Sequence, residues 1–272
     1  MFSVVCPEQY HEAFFAEGLR SDGRSFSEAR PDFTISKASL SESSEYQSHI
    51  VRKGNSVIYI NIFPQVTTPS VSGCGFLATK VSFYSSPSEI YPSKDKDIRY
   101  SQALHSILYP VLQHSTFPIN EGSSAVWAVY LEVLVLVDDG SIFELILDAS
   151  VAVLKAFFLP VVTIDELEDG SVIVSKSGSL SQIPLIAPNI NLSSKTIAII
   201  PLSQPKEMDI NSDLPEKIIL VDPTRCEELL PNKSDIMINS IANSQECSKK
   251  IVNISKRYGP SLPWNLIRSS IE

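Results

Sequence analysis

Asp138-Asp139-Gly140-Ser141 is the stretch of this chain best equipped for chemistry. Carboxylates, a glycine and a hydroxyl stand together where one long apolar run stops and another begins. Glycine supplies positive φ and aspartate bonds its own backbone, so these residues form a turn. A helix that opens directly after such a turn presents unpaired amides, and these hold anions. A second acidic group, Glu227-Glu228, follows Asp222-Pro223-Thr224 and reads equally as a solvated helix start or as part of a site. Lys94, Lys96 and Arg99 place cations in and just beyond a Ser/Pro-rich loop, Ser85 to Asp97. On its residues alone that is a solvated loop. Gly73-Cys74-Gly75-Phe76-Leu77-Ala78 matches the dinucleotide fingerprint, but a loop precedes it and the strand-like Leu77 to Tyr84 follows. The fingerprint needs a strand before it and a helix after it, so no dinucleotide is expected.

The turn has to be positioned by its flanks. Ala125 to Val137 carries one charge, Glu132, and is rich in β-branched and aromatic residues, which predicts a strand buried on both faces. After the turn, Ser141, Glu144, Asp148 and Lys155 form one narrow polar stripe at helical spacing, and the positions between them are almost all apolar. The pattern predicts a helix buried over most of its circumference. Pro160 is expected to end it, with a strand from Val161 to Ile164 beyond.

Upstream, Pro7 to Glu17 reads as a short helix with Tyr10, Ala13 and Phe14 on one face and Gly18 as its cap. Phe33 to Leu40, Tyr46 to Arg52 and Ser56 to Phe63 read as strands, the last two joined by Lys53-Gly54-Asn55. Gln65 to Gly75 reads as a loop, and Asp97 to Leu112 as an amphipathic helix with Tyr100, Leu104, Ile107, Leu108 and Val111 on its apolar face. Downstream, strands are expected at Ser171 to Ser175, Thr196 to Leu202, Lys217 to Asp222 and Asp235 to Ile241, and a short helix at Trp264 to Ile271.

Composition bounds what such a chain does. It has 272 residues, 43% of them hydrophobic and 19% charged, with a net charge of −9. An acidic chain lacks the clustered Lys and Arg that a stand-alone nucleic-acid binder needs. Few charges beside many apolar residues point to surface covered by other subunits. Cys6, Cys74, Cys226 and Cys247 lie far apart without a metal spacing, as do the four histidines, so reduced thiols and no metal are expected. No signal peptide or membrane-spanning run is recognisable, and no cofactor is implied.

Four motifs in order carry a family resemblance. Arg20-Ser21-Asp22-Gly23-Arg24 with Glu28 and Arg30 resembles the R-x-D-G-R…E-x-R opening of RNase PH-like proteins. Lys53-Gly54-Asn55-Ser56-Val57-Ile58 resembles that family's hairpin, and Trp127 through Pro160 resembles its central strand, Asp-Gly turn and buried helix. Leu220-Val221-Asp222-Pro223-Thr224 with Glu227 and Glu228 resembles the V-D-P-T…E-E pattern of the non-catalytic ring subunits of the eukaryotic RNA exosome. The resemblance implies an α+β fold of the RNase PH type. It would be a single domain over residues 1–272, built from two β-α-β units (ribosomal S5 domain 2-like) around mixed sheets, with halves at about 19–165 and 166–272. It also implies a hetero-oligomeric ring of paired RNase PH-like subunits with cap RNA-binding subunits, RNA passing through the pore, and residence in the nucleus, nucleolus included, and the cytoplasm.

In active members of the family a hydroxyl and an arginine after the Asp-Gly turn bind the phosphate that attacks the RNA 3′ end. A phosphate nucleophile needs helix N-terminal amides and a bidentate arginine. Here Ser141 is followed by Ile142 and Phe143 at those positions, which offer neither charge nor hydrogen bond. The family's two carboxylates near the D-P-T motif fall on Glu228 and, by ungapped count, on Ser234, with Asp235 one residue off. Losing a buried charge-assisted phosphate contact removes about 3 kcal/mol or more of transition-state stabilisation. The resemblance therefore implies a non-catalytic ring subunit that supports 3′-to-5′ RNA processing and degradation, with Lys94, Lys96 and Arg99 as candidates to line the RNA channel. The alternative, an active phosphorolytic 3′-to-5′ exoribonuclease, lacks its arginine.

Overall fold

The computed structural model describes residues 6–38, 47–68, 76–84, 94–119, 125–166, 172–201, 217–230, 233–243 and 248–258. In chain order its elements are α1 (Pro7–Ala16), β1 (Thr34–Lys37), β2 (Gln47–Lys53), β3 (Ser56–Thr67), β4 (Phe76–Phe83), α2 (Lys94–Leu108), β5 (Val126–Val137), α3 (Ile142–Ala156), β6 (Phe158–Glu166), β7 (Val172–Pro184), β8 (Ile190–Pro201), β9 (Lys217–Val221), α4 (Arg225–Glu228), β10 (Ser234–Asn243) and β11 (Ser248–Tyr258). Short 3-10 turns at Tyr109–Val111 and His114–Thr116 lead from α2 towards β5.

Two sheets and a hairpin result. The first sheet runs β1-β2-β3-β5-β4, the second β11-β10-β8-β9, and β6 pairs with β7. Every neighbouring pair is antiparallel except β4 and β5, which are parallel and joined through α2. Parallel neighbours need such a crossover. Alternation on β3 turns Ile58, Ile60 and Ile62 inward, and alternation on β5 does the same for Leu131, Val133 and Val135. Helices α2 and α3 pack on that inner face through Leu104, Ile107, Leu108, Ile146, Leu147 and Leu154. Leu192 and Met237 of the second sheet join the same core, so α3 lies between the two sheets. Each such large side chain contributes about 1.5–3 kcal/mol of gross burial energy, which is why a helix polar at only a few positions is stable here.

Several boundaries differ from the sequence reading. Pro160 does not end α3. The helix stops at Ala156, Phe157 is already extended at φ −94° and ψ 128°, and Pro160 sits inside β6 at a register shift. A strand tolerates proline at such an irregularity. Helix α2 begins at Lys94, so Lys96 and Arg99 stand in its first turns, while residues 85–93 lie outside the described residues. Strand β3 runs on to Thr67 because β5 pairs with it that far. The tail beyond Cys247 holds β11, whose Lys249, Lys250 and Lys256 hid its alternation, and Trp264 to Ile271 lies outside the described residues. On α1 the buried residues are His11 and Phe15, not the face of Tyr10, Ala13 and Phe14. Phe15 packs with Ala198, Ile200, Ile218 and Leu220, so the N-terminal helix belongs to the core of the second sheet.

Candidate functional site: a degenerate anion cradle

The Asp-Gly turn packs against the segment from Pro223 to Arg225. Gly140 has φ 86° and Ser141 φ 49°, and a Cβ on Gly140 would stand 2.4 Å from the Pro223 carbonyl oxygen. Only glycine permits that approach. The Ser141 hydroxyl donates to the Pro223 carbonyl at 3.1 Å, and the Arg225 amide donates to the Asp139 carbonyl at 3.1 Å. Asp222 also takes a left-handed conformation, φ 51°, which aspartate tolerates better than most residues.

Asp222 is the electrostatic centre. It is fully buried. Arg30 donates to it from its backbone amide at 2.9 Å, from Nε at 3.0 Å and from Nη2 at 2.6 Å. The same guanidinium reaches the Asp139 and Gly140 carbonyls, both at 2.9 Å. Lys53 Nζ lies 3.3 Å from Asp222 and 2.6 Å from Glu144. Gly54 leaves room for Arg30: a Cβ there would sit 3.0 Å from the Arg30 Cδ. Burial pushes the Asp222 carboxyl up, but the Arg30 hydrogen bonds and the Arg30 and Lys53 charges outweigh burial and hold it well below the usual carboxylate range. All four sequence motifs therefore converge on one ionic cluster.

Glu227 corrects the picture of a solvated acidic pair. It is fully buried and takes a bidentate pair from Arg20, Nε at 2.9 Å and Nη2 at 2.5 Å. Arg20 also donates to the Val221 and Asp222 carbonyls at 2.8 and 3.1 Å. Glu227 closes a capping box by accepting from the Thr224 amide at 2.7 Å. Two fully desolvated charges of this kind are tolerated because each remaining polar atom finds a partner.

The start of α3, where an anion would bind, is already occupied. The Ser141 amide donates to Glu228 Oε1 at 2.7 Å, and Arg225 lies 3.4 Å from Glu228 Oε2. Ile142 and Phe143 are both only 1% exposed and belong to the core, with Phe143 edge-on to Tyr100 at 5.6 Å. Further along α3, Glu144 accepts from the Thr196 amide at 3.0 Å and Asp148 from the Ser194 amide at 3.2 Å. The i, i+4 spacing of the carboxylates thus matches alternate amides of β8 beyond the end of β9. Burial, then repulsion from Glu144, pushes the Asp148 carboxyl up to about 7.

The other candidates divide. Lys96 pairs with Asp138 at 3.0 Å and lies 3.8 Å from the centre of the Phe83 ring, so it ties α2 to the turn. Arg99 is exposed and donates to the Asp95 carbonyl at 3.2 Å. Lys94 opens the helix. Ser234 and Asp235 begin β10, opposite Ile199 and Ala198, and Asp235 pairs with Lys233 at 2.9 Å. Of the two carboxylates, Glu228 is the one that bonds the start of α3. Among the described residues no three metal-ligating side chains come together, and no helix is long and apolar enough to cross a membrane. The composition signal for the cluster was the concentration of Arg20, Arg24 and Arg30 in a chain with few charges. For Glu144 and Asp148 it was the stripe on α3, whose partner strand no local pattern reveals.

A mixed sheet and an antiparallel sheet about a buried helix, with the Asp-Gly turn locked against the D-P-T segment, give this chain the RNase PH-like fold. Over its whole length it is similar to exosome complex component rrp43 of Schizosaccharomyces pombe, with 27% identity over 284 residues that take in 92% of that relative. A chain from the Archaeoglobus fulgidus exosome with RNA bound to the active site superposes with a TM-score of 0.70 at 19% identity, covering 97% of this chain and 91% of that one. An archaeal exosome core chain gives 0.65 at 17% identity, covering 97% and 89%. No protein-family model matches the sequence.

Proposed function

We propose that this chain is a non-catalytic subunit of an RNA exosome ring. It helps to form the channel through which RNA reaches 3′-to-5′ processing and degradation. The observation that carries this reading is the filled cradle. Glu228 takes the Ser141 amide that would face an anion, and Ile142 and Phe143 are spent on the core. A phosphate there would meet a carboxylate and an apolar wall, with no arginine at the family's position. Similarity to exosome complex component rrp43 along the whole chain supports the assembly.

Its partners on this reading are other RNase PH-like ring subunits and cap RNA-binding subunits, in the nucleus, nucleolus included, and in the cytoplasm. Lys94, Lys96 and Arg99 contribute to the channel lining, with Arg99 the more exposed contributor since Lys96 is paired to Asp138. A pore sums the potential of many subunits, so a few cations on an acidic chain matter there and not on the free chain. The test is phosphorolysis. The purified chain, incubated with single-stranded RNA and inorganic phosphate, is expected to release no nucleoside diphosphate. Phosphate-dependent shortening that co-purifies with this chain would overturn the reading.

A further inference from the structure

The face of the second sheet that α3 covers carries a polar seam inside the core. Leu192 on β8 and Met237 on β10 belong to the core that contains α3. Side chains alternate along a strand, so Ser194 and Thr196 follow Leu192 on that face, and Asn239 follows Met237. Asn239 stands directly opposite Ser194, and Ser255 of β11 stands opposite Met237. Asn239 is fully buried, Ser194 is 3% exposed and Thr196 1%. Neither polar atom of the Asn239 side chain has a hydrogen-bond partner in the chain, nor do Ser194 Oγ, Thr196 Oγ1 and Ser255 Oγ. Above them Asp148 Oδ1 accepts from the Ser194 amide at 3.2 Å. The charges that act on Asp148 are Glu144 of the same helix, Lys53 of β2 and Asp32 ahead of β1, and Lys53 is already paired to Glu144 and Asp222.

We propose that this seam is a binding site for water, in which ordered molecules bridge Asn239 and Ser194 to the carboxyl of Asp148 and so tie β10 to α3. Buried amides and hydroxyls are costly to leave without partners, and native proteins serve them with internal water. The donor set selects this ligand. Asn239 presents an N–H donor and a carbonyl acceptor side by side, and each hydroxyl both donates and accepts. A cation would leave the N–H unserved, and an anion would leave the carbonyl unserved. Water serves both. Asn253, opposite Asn239 on β11, is exposed and puts the outer end of the seam at the solvent. Water placed here returns to Asp148 part of the hydration that burial removes. Burial first, and Glu144 next, push that carboxyl up, and without the bridge it would rise further.

The test uses the full-length chain. In water–protein NOE spectra the Asn239 side-chain amide is expected to report a water molecule held far longer than surface water. Asn239→Leu keeps the shape and removes both polar atoms. It is expected to lower the folded-to-unfolded ratio about 10-fold. It is also expected to move the titration midpoint of the Asp148 carboxyl, followed by carbon-13 NMR, to higher pH. Lost stability with an unmoved midpoint would mean that Asn239 only packs, and would overturn the proposal. Unchanged stability would overturn it as well, since apolar replacement of groups that bind nothing costs little. Strong coupling between Asn239→Leu and Ser194→Ala, with no long-lived water, would show the two side chains bonded to each other and would also overturn it. If Asn239→Leu does not fold, the Asp148 midpoint in Ser194→Ala and the water contact of the wild-type chain decide.

Discussion

Arg20 and Glu227 show what the family-like charges do in this chain. Each is fully buried, and each would be left as an unpaired charge if the other were removed. Breaking such a pair costs about 3–5 kcal/mol. Glu227→Ala is therefore expected to lower the urea midpoint severely, and Arg20→Ala similarly, while the double variant loses less than the sum. Additive losses would show that the two charges act separately. Asp222 adds a pH dependence with a definite sign. Its folded carboxyl is held low by Arg30 and Lys53, so its contribution is fully present above the unfolded value of about 4. That contribution is lost as pH falls below about 4 towards the folded value. Asp222→Asn should lose stability at neutral pH and flatten the acid limb of the unfolding profile. An unchanged acid limb would remove Asp222 from the cluster's energetics.

At the scale of elements, the Asp-Gly turn and α3 decide the arrangement. Gly140→Ala adds a Cβ 2.4 Å from the Pro223 carbonyl and forces alanine to φ 86°. A loss of about 3 kcal/mol is expected from strain and overpacking together. A melting curve that matches wild type would contradict the contact. Helix α3 docks on β8 through Glu144 and Asp148. Asp148 has its carboxyl pushed up, chiefly by burial and then by Glu144, so the folded state holds the proton more tightly than the unfolded one. Stability from this group is thus greatest at low pH and falls as pH rises from about 4 to about 7. Asp148→Asn keeps an acceptor for the Ser194 amide and removes the charge. It is expected to raise stability at pH 8 by on the order of 1–3 kcal/mol, read from denaturant unfolding at pH 5 and pH 8. No gain at pH 8 would mean that the carboxylate is better solvated than its position implies. These same elements show what the sequence could reveal. The strand, turn and buried helix from Val126 to Ala156 were legible because apolar periodicity is local. Pro160 misled because its strand context comes from β7, and the partners of the polar stripe on α3 were hidden because β8 is distant in sequence. The four motifs were recognisable singly, while their convergence on Asp222 is a tertiary fact. Ile142, Phe143 and Glu228 were legible as losses or remnants of a site. That Glu228 fills the cradle left behind was not.

For the whole molecule, one ionic junction at Asp222 adds to the apolar cores in tying the chain together, and Phe76, Tyr84 and Leu136 leave apolar side chains exposed on the first sheet. A chain built this way gains stability from a partner that binds only its folded form, by mass action. Its melting temperature is expected to rise on co-assembly with another RNase PH-like ring subunit, and a monodisperse monomer indifferent to every such subunit would count against that. The central claim, that this chain is a structural member of an exosome ring, is tested most directly by native mass spectrometry. The ring subunits would be co-expressed with and without this chain. The account predicts a closed ring that includes it in fixed stoichiometry, and open or partial assemblies when it is omitted. A closed ring of unchanged mass that forms without it, with this chain left free in solution, would contradict the account.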